Sequence, residues 1–301
     1  MIEKIPLPIC GVILALFSLG NLLNDTHPLL KAICATIGLI FLILIISKLI
    51  LYPEKIKEDF QNPILTSNSG TFSMSLMLLS TYLSPFIPNI AFGVWILGVA
   101  LHILLMIYFT YHFIIHNFDI STVYPSYWIV YVGITMGAIT AHAHNLEEIG
   151  IIFFLVGFMA MIITMPLIIY RYLKYPNIPN GNKPLICIFT AVLSILIVGY
   201  INSFNTISDE FLMVMYIFAC IFYIFALLKF IEYRNLEFYP SFAAFSFPFV
   251  ISGLATKGVI SKIGPNIILN NILNIETVIA TIIVAYVLMK YIKFLSRKSS
   301  T

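Results

Sequence analysis

Long apolar stretches alternate along the whole chain with short clusters of Pro, Asn, Asp, Lys and Arg. Most of these stretches have about the 20 residues that an α-helix needs to cross a bilayer. The pattern predicts ten transmembrane helices, numbered here in chain order, at 6–23, 29–51, 64–83, 88–110, 125–142, 148–172, 184–202, 209–232, 239–256 and 272–295. We expect one all-α membrane domain spanning residues 1–301.

The third segment is polar in its first half. Its polar and small residues there are Thr66, Ser67, Asn68, Ser69, Gly70, Thr71 and Ser73. If this segment crosses the membrane, that half must face protein or water rather than lipid.

Composition excludes two broad classes of protein. The chain is 60% hydrophobic and 10% charged, with a mean hydropathy of +1.01, whereas soluble domains have about 25% charged residues. A soluble globular protein is therefore excluded. The net charge of +3 is dispersed, and no basic cluster stands beside interleaved aromatic residues, so nucleic acid is not expected as a partner.

Lysine and arginine are distributed unevenly between the two predicted sides. With the N-terminus inside, the outer segments contain only Lys31, Lys257 and Lys262, which leaves thirteen of the 16 Lys and Arg residues, including Arg297 and Lys298, on the cytoplasmic side. An excess of positive charge marks cytoplasmic loops. We expect a multi-pass protein of the plasma membrane with both termini in the cytoplasm.

A proline stands within two residues of the start of every odd-numbered segment. These residues are Pro8, Pro63, Pro125, Pro184 and Pro240, at spacings of 55 to 62 residues. Proline suits the first turn of a helix, where its missing N–H costs nothing. The repeat predicts five helical hairpins in tandem, and parallel repeats of this kind are related by an axis along the membrane normal. We expect a pseudo-fivefold ring around a central pore.

Small and hydroxylic residues recur in the odd-numbered segments, while the even-numbered segments are bulkier and apolar all round. This difference predicts inner odd helices and outer, lipid-facing even helices. The pore-lining candidates are Gly11, Ala15, Ser18, Ser69, Gly70, Ser73, Gly133, Gly137, Ala191, Ser194, Ala244 and Ser246. At any single site a helix-packing contact, as in Gly133-x-x-x-Gly137, is the stronger interpretation. The recurrence in all five odd helices favours a pore.

Ionisable residues inside a membrane mark proton relays and ion-coupled pumps, and the sequence places none near a predicted midplane. Glu276 is the nearest acid, within about one turn of the outer start of the tenth segment, and Lys257 lies at the outer end of the ninth. Passive conduction needs no buried charge.

The sequence offers little support for a metal site or an enzyme. His142 and His144 read as loop residues, His112 and His116 would need further ligands to hold a metal, and His102 is most simply an interhelical hydrogen-bonding residue. We find no nucleophile, phosphate-binding or HExxH motif. We expect no metal or cofactor, and an intramembrane enzyme is the weakest of the functional hypotheses.

The ninth segment contains the most specific local feature, Phe247 followed by Pro248. A proline in mid-helix would remove one backbone hydrogen bond, crowd the carbonyl of Ala244 and kink the helix. A bulky ring at the kink of a pore-lining helix could close a narrow lumen, because an apolar constriction gates by dewetting. A core aromatic beside a packing kink explains the same residues equally well.

Several stretches together resemble one family. They are Pro8-x-x-Gly11 through Gly20-Asn21, His27-Pro28, Tyr124-Pro125-Ser126-Tyr127-Trp128 with Val132-Gly133-Ile134, and Tyr239-Pro240-Ser241 through Phe247-Pro248. In this order they resemble the tellurite-resistance/dicarboxylate transporter family, which includes bacterial TehA, fungal malate and sulfite transporters and the plant guard-cell slow anion channels.

The resemblance implies a pseudo-fivefold ring of hairpins, a homotrimer with one pore per subunit, and a gate formed by a phenylalanine of the ninth helix. Phe247 matches the gate position, and Phe245 is the alternative if the register differs. Family members pass chloride and nitrate, malate and related C4-dicarboxylates, or sulfite.

Our leading hypothesis is a passive anion channel or uniporter for small inorganic anions, gated by Phe247. The alternative is a carrier of C4-dicarboxylates or sulfite, with or without proton coupling. A third hypothesis, outside the transport proteins, is a structural membrane protein without a pore. Hydroxyl groups along the pore would stabilise an anion weakly, which favours throughput, and Lys257 and Lys262 would add positive potential at the outer mouth.

Overall fold

The computed structural model describes residues 2–25 and 28–296. Within those ranges the chain is helical and contains no β-strand. His27 of the resemblance, and Arg297 and Lys298 of the charge count, lie outside the described residues.

Twelve α-helices follow one another in the described residues. They are α1 (Ile9–Leu23), α2 (Pro28–Leu51), α3 (Pro53–Asp59), α4 (Pro63–Leu83), α5 (Pro88–Phe109), α6 (Tyr127–Tyr131), α7 (Thr135–Ala141), α8 (Glu147–Lys174), α9 (Phe189–Ser203), α10 (Asp209–Tyr233), α11 (Phe247–Ile263) and α12 (Ile267–Ser296). A π-helical stretch, Thr110–His116, continues α5, and 3₁₀-helices at Asn180–Ile188 and Pro240–Phe245 lead into α9 and α11. Shorter 3₁₀ turns lie at Ile2–Lys4, Ile120–Thr122 and His142–His144.

Helical structure is found in each of the ten predicted segments, with differences in their bounds and continuity. The fifth segment is divided into α6 and α7, and α3 was not predicted. In addition, α11 extends to Ile263, and α12 begins at Ile267, five residues before the predicted start at 272. Seven of the described helical stretches are long and apolar enough to cross a membrane. Of the other three segments, α1 is short at 15 residues, α4 is polar in its first half and the fifth is broken.

Burial separates the odd-numbered segments from the even-numbered ones, as the composition predicted. In α1 every residue except Asn21 is buried, and 94% of the most apolar part of Asn180–Ser203 is buried, against 28% for Pro28–Leu51. The outer helices present large apolar side chains such as Ile43 on α2, which is 62% exposed. Apolar surface of this kind is stable against lipid rather than against water.

Four of the five proline-marked starts share one local geometry. Before α1 the amides of Ile9, Cys10 and Gly11 donate to the carbonyls three residues back, at 2.9–3.1 Å. The seventh and ninth segments begin as 3₁₀-helices with the same i to i−3 bonding. These inner segments therefore enter the core as tight turns and then become α-helices, whereas α4 is α-helical from its start, where the amide of Thr66 donates to the carbonyl of Asn62 at 2.9 Å.

Tryptophan side chains tie inner segments to outer helices. The indole N–H of Trp95 on α5 donates to Oγ1 of Thr140 on α7 at 2.8 Å, and that of Trp128 on α6 donates to Oγ1 of Thr164 on α8 at 2.9 Å. Both bonds are buried. In a medium without water such bonds hold neighbouring helices in a defined position.

We predict that the Trp95 to Thr140 bond contributes about 0.6–1.7 kcal/mol to folding stability. Because Trp95→Phe also removes ring volume, the bond is isolated by combining it with Thr140→Val and measuring unfolding of all four proteins in detergent. A coupling energy of zero within error would contradict the assignment.

Candidate functional site

A cavity lies where the five proline-marked segments meet. Its wall is formed by Gly11 from α1, by Asn68, Thr71 and Met74 from α4, by Trp128, Ile129 and Gly133 from the fifth segment, by Ile188, Ala191 and Ile195 from the seventh, and by Ala243, Ala244, Phe247 and Pro248 from the ninth. Each of the five segments therefore contributes to the wall of one cavity.

The cavity is small and almost entirely apolar. Its volume is about 50 Å³, and since one water needs about 10–15 Å³ of such space, it has room for a few waters or a small ion. None of its lining residues is ionisable. Asn68 and Thr71 are the polar side chains on the wall, and both already donate to backbone carbonyls of α4, at 2.7 Å. Such a surface can hold an anion only weakly.

Six of the sequence-predicted site residues line this cavity. They are Gly11, Gly133, Ala191, Ala244, Phe247 and Pro248. The other eight candidates, Ala15, Ser18, Ser69, Gly70, Ser73, Gly137, Ser194 and Ser246, are not part of its wall.

Several of these eight make helix-packing contacts instead. Oγ of Ser73 lies 2.7 Å from Nδ1 of the buried His102, which confirms His102 as an interhelical hydrogen-bonding residue. A Cβ at Gly137 would stand 2.7 Å from the ring of Phe153 on α8, so this glycine permits close helix approach. The hydroxyls of Ser194 and Ser246 donate within their own turns.

The third segment contributes a different face from the one predicted. Asn68, Thr71 and Met74 line the cavity, whereas the sequence analysis selected Ser69 and Ser73. The i, i+3, i+6 spacing of the true wall is a helical face. Hydroxylic residues surround this helix on every side, so composition alone could not select that face.

The gate candidate lies at a break in the helix. The 3₁₀-helix Pro240–Phe245 ends, Ser246 intervenes, and α11 starts at Phe247 with Pro248 in its first turn. The expectation that Pro248 kinks a continuous helix is thus wrong in detail, because the proline starts a new helix where its missing N–H is tolerated.

The structure also distinguishes the two candidate rings. Phe247 is 7% exposed and lines the cavity. Phe245 is fully buried and packs against Phe230 and Phe242, with ring centroids 5.2 and 5.1 Å away. Of the two, Phe247 is the ring that contacts the cavity.

The break in the fifth segment is supported by its neighbours. Between α6 and α7 the amides of Thr135 and Met136 bond to carbonyls three residues back. Nε2 of His102 donates to the carbonyl of Val130 at 3.0 Å, which supplies a partner for a backbone group next to the interruption. A Cβ at Gly133 would stand only 2.1 Å from the carbonyl oxygen of Ile129, so the break requires glycine there.

The charge predicted at the outer mouth is partly neutralised. Nζ of Lys257 donates to Asp25 at 2.8 Å, and this hydrogen bond holds the pKa of the Asp25 carboxyl below its usual value. The expectation that Lys257 offers a free positive potential is therefore corrected.

Two comparisons with known proteins agree with each other. The family model described as SLAC1, voltage-dependent anion channel, matches residues 5–292. A protein of Methanocaldococcus jannaschii described as an uncharacterized transporter is 25% identical over 255 residues, which cover 75% of this chain and 73% of that protein.

We predict that Gly133→Ala destabilises the protein by about 1–3 kcal/mol, because the added methyl must displace the backbone of the interruption. The matched control is Gly93→Ala on the exposed face of α5, where a Cβ meets nothing within 4 Å. Thermal unfolding in detergent should show a lower midpoint for Gly133→Ala only. Equal midpoints for the two variants would refute the requirement for glycine.

Proposed function

The chain belongs to the SLAC1 family of voltage-dependent anion channels, and we propose that it conducts small inorganic anions passively through the central cavity, with Phe247 as its gate. The family is one of channels and transporters rather than enzymes, and the chain is a multi-pass membrane protein. The observation that supports the proposal most directly is the cavity built from all five inner segments, with Phe247 on its wall.

The size and chemistry of the cavity favour a small anion that passes through without tight binding. The volume of about 50 Å³ has room for an ion the size of chloride or nitrate. The wall offers no lysine or arginine, so nothing on it would retain an anion strongly. Weak binding is what conduction requires, since an ion must leave as readily as it enters.

We further propose that all ten segments cross the membrane as five tandem hairpins in a pseudo-fivefold ring. The shared cavity and the burial of the inner segments support this arrangement. Both termini would then lie in the cytoplasm of a plasma-membrane protein, and the resemblance to TehA-like proteins suggests a homotrimer.

A carrier of C4-dicarboxylates or sulfite is the second candidate. One observation favours it in a proton-coupled form: Glu276 is buried within a membrane helix, at 3% exposure. A carrier would show saturation and counterflow, whereas a channel would show a potential-driven flux across several anions.

We predict that Phe247→Ala raises chloride and nitrate flux in proteoliposomes at a clamped potential by about tenfold, equivalent to lowering the barrier by about 1.4 kcal/mol. Removing the ring widens the space that it borders. Phe245→Ala is the matched control, because its ring packs against Phe230 and Phe242 instead.

Two outcomes would contradict the proposal. Equal flux in the wild type and Phe247→Ala would reject the gate. Flux confined to malate or sulfite, saturable and showing counterflow, would instead establish the carrier.

A further inference from the structure

Glu276 lies deep in the protein, contrary to the expectation from the sequence. Because α12 begins at Ile267, Glu276 is nine residues along a 30-residue helix, about 14 Å from its first residue. Its side chain is 3% exposed. An ionisable group at such a depth is costly in a membrane and marks a functional site unless its neighbours explain it.

The neighbours of Glu276 form a chain of hydroxyl groups. Oγ of Ser252 on α11 donates to Oε1 at 2.9 Å, and Oγ1 of Thr256, one turn further along α11, donates to Oε2 at 2.5 Å. The hydroxyl of Tyr216 on α10 lies 3.1 Å from Oγ1 of Thr256. Since Thr256 uses its hydrogen for the carboxylate, Tyr216 donates to Thr256.

No cation balances this carboxylate within the described part of the chain. Its contacts are the two hydroxyls, and none of the ion pairs formed there includes Glu276. Lys257, which follows Thr256 on α11, pairs with Asp25 instead. A buried carboxyl group that lacks a counterion can take up a proton without breaking an ion pair.

The other titratable groups around Glu276 are weak acids. On α10, Tyr216, Cys220 and Tyr223 are close enough to interact electrostatically with it. The hydroxyl of Tyr223 is buried without a hydrogen-bond partner, so a spare donor lies in this region.

On α1, which also packs against α11 and α12, Cys10 is the only titratable side chain. The remaining charged residues of α10 and α12 lie toward the helix ends: Asp209, Glu210, Lys229, Glu232, Lys290 and Lys293. None of these four helices contains histidine.

We infer that Glu276 is a proton-binding site inside the membrane, and that its protonation releases α11 and opens the cavity at Phe247. The ionised carboxylate accepts two hydrogen bonds from α11 and holds that helix against α12. In the neutral acid one oxygen carries the proton, so the bond with Ser252 must reverse its direction or break, both bonds lose their charge assistance, and the attachment weakens. Neutralisation also removes a negative charge that repels anions. Both effects increase anion flux at acidic pH.

The inference rests on the proposed function, because its test measures anion flux. The link between Glu276 and the gate is a matter of geometry. Ser252 is five residues after Phe247 on the same helix, about 7.5 Å along the axis. A shift of α11 relative to α12 therefore moves Phe247 as well.

The test measures chloride and nitrate flux in proteoliposomes at a clamped potential across a pH series. Both anions keep their charge throughout, so the pH profile reports the protein. We expect wild-type flux to rise about tenfold on acidification, because the loss of one hydrogen bond to a charged group changes the energy barrier by about the amount that a tenfold change in rate requires. Glu276→Gln, which resembles the neutral acid, should give high flux with no pH dependence. The control, Glu148→Gln at the exposed start of α8, should keep the wild-type profile.

Second variants keep the test decisive if Glu276→Gln folds poorly. Ser252→Ala and Thr256→Val retain the carboxyl group but remove a donor that favours its charged form, so the midpoint of the pH profile should move upward by about one pH unit. Unchanged midpoints in both, or a wild-type profile in Glu276→Gln, would overturn the inference.

Infrared spectroscopy separates this inference from the proposed function. Protonation of Glu276 should produce a carboxylic C=O band that titrates with pH in the wild type and is missing from Glu276→Gln. If the band titrates but neither the wild type nor Phe247→Ala conducts anions, the channel is rejected and the proton site is retained. Flux without the band would reject the proton site alone.

Discussion

Backbone amides and carbonyls inside a bilayer have no water to bond to, so each must find a partner within the protein. Outer helices such as α2 and α10 satisfy this requirement by unbroken α-helical bonding. The inner segments do not: the fifth is interrupted around Gly133, and the ninth changes helix type at Ser246. Both interruptions lie beside the cavity, where irregular backbone is tolerated because it is shielded from lipid. His102 shows how such a break is supported, since its ring supplies the donor for the carbonyl of Val130.

The same constraint explains which parts of the structure were predictable. Proline positions report backbone geometry directly, so the approximate starts of the inner segments and the irregular point at Phe247 and Pro248 could be predicted from the sequence. The break at Gly133 was not predicted, because that residue was assigned to a continuous fifth helix. The face of α4 could not be predicted, because hydroxyls that bond within their own helix are compatible with any side. The depth of Glu276 was missed because Asn266, Asn270 and Asn271 resemble a loop, whereas Asn270 and Asn271 lie in the first turns of α12.

Charge is arranged around the cavity rather than on it. The buried Arg171 at the end of α8 lies 4.0 Å from the ring centroid of Tyr124 and donates to the carbonyl of Ser121, and Lys257 pairs with Asp25 at the other end of the bundle. The cavity wall between them is apolar. Because Lys257 is paired, the proposed conduction path would offer an anion little attraction along this wall, which agrees with weak binding and passive flow.

The ninth segment combines a part held by specific contacts with a part that the proposed gating would move. Pro240–Phe245 is held by a hydrogen bond from Tyr291 to the carbonyl of Pro240 and by the packing of Phe245 on Phe230. Pro248 cannot donate a backbone bond to Ala244, so the joint at Ser246 has fewer constraints than a continuous helix would have. Motion of α11 would then be resisted mainly by its side-chain contacts, among which the two hydrogen bonds to Glu276 are charge-assisted, and therefore strong, when the carboxyl group is ionised. A single proton can shift such a balance, because one hydrogen bond is comparable to the energy difference between two helix positions.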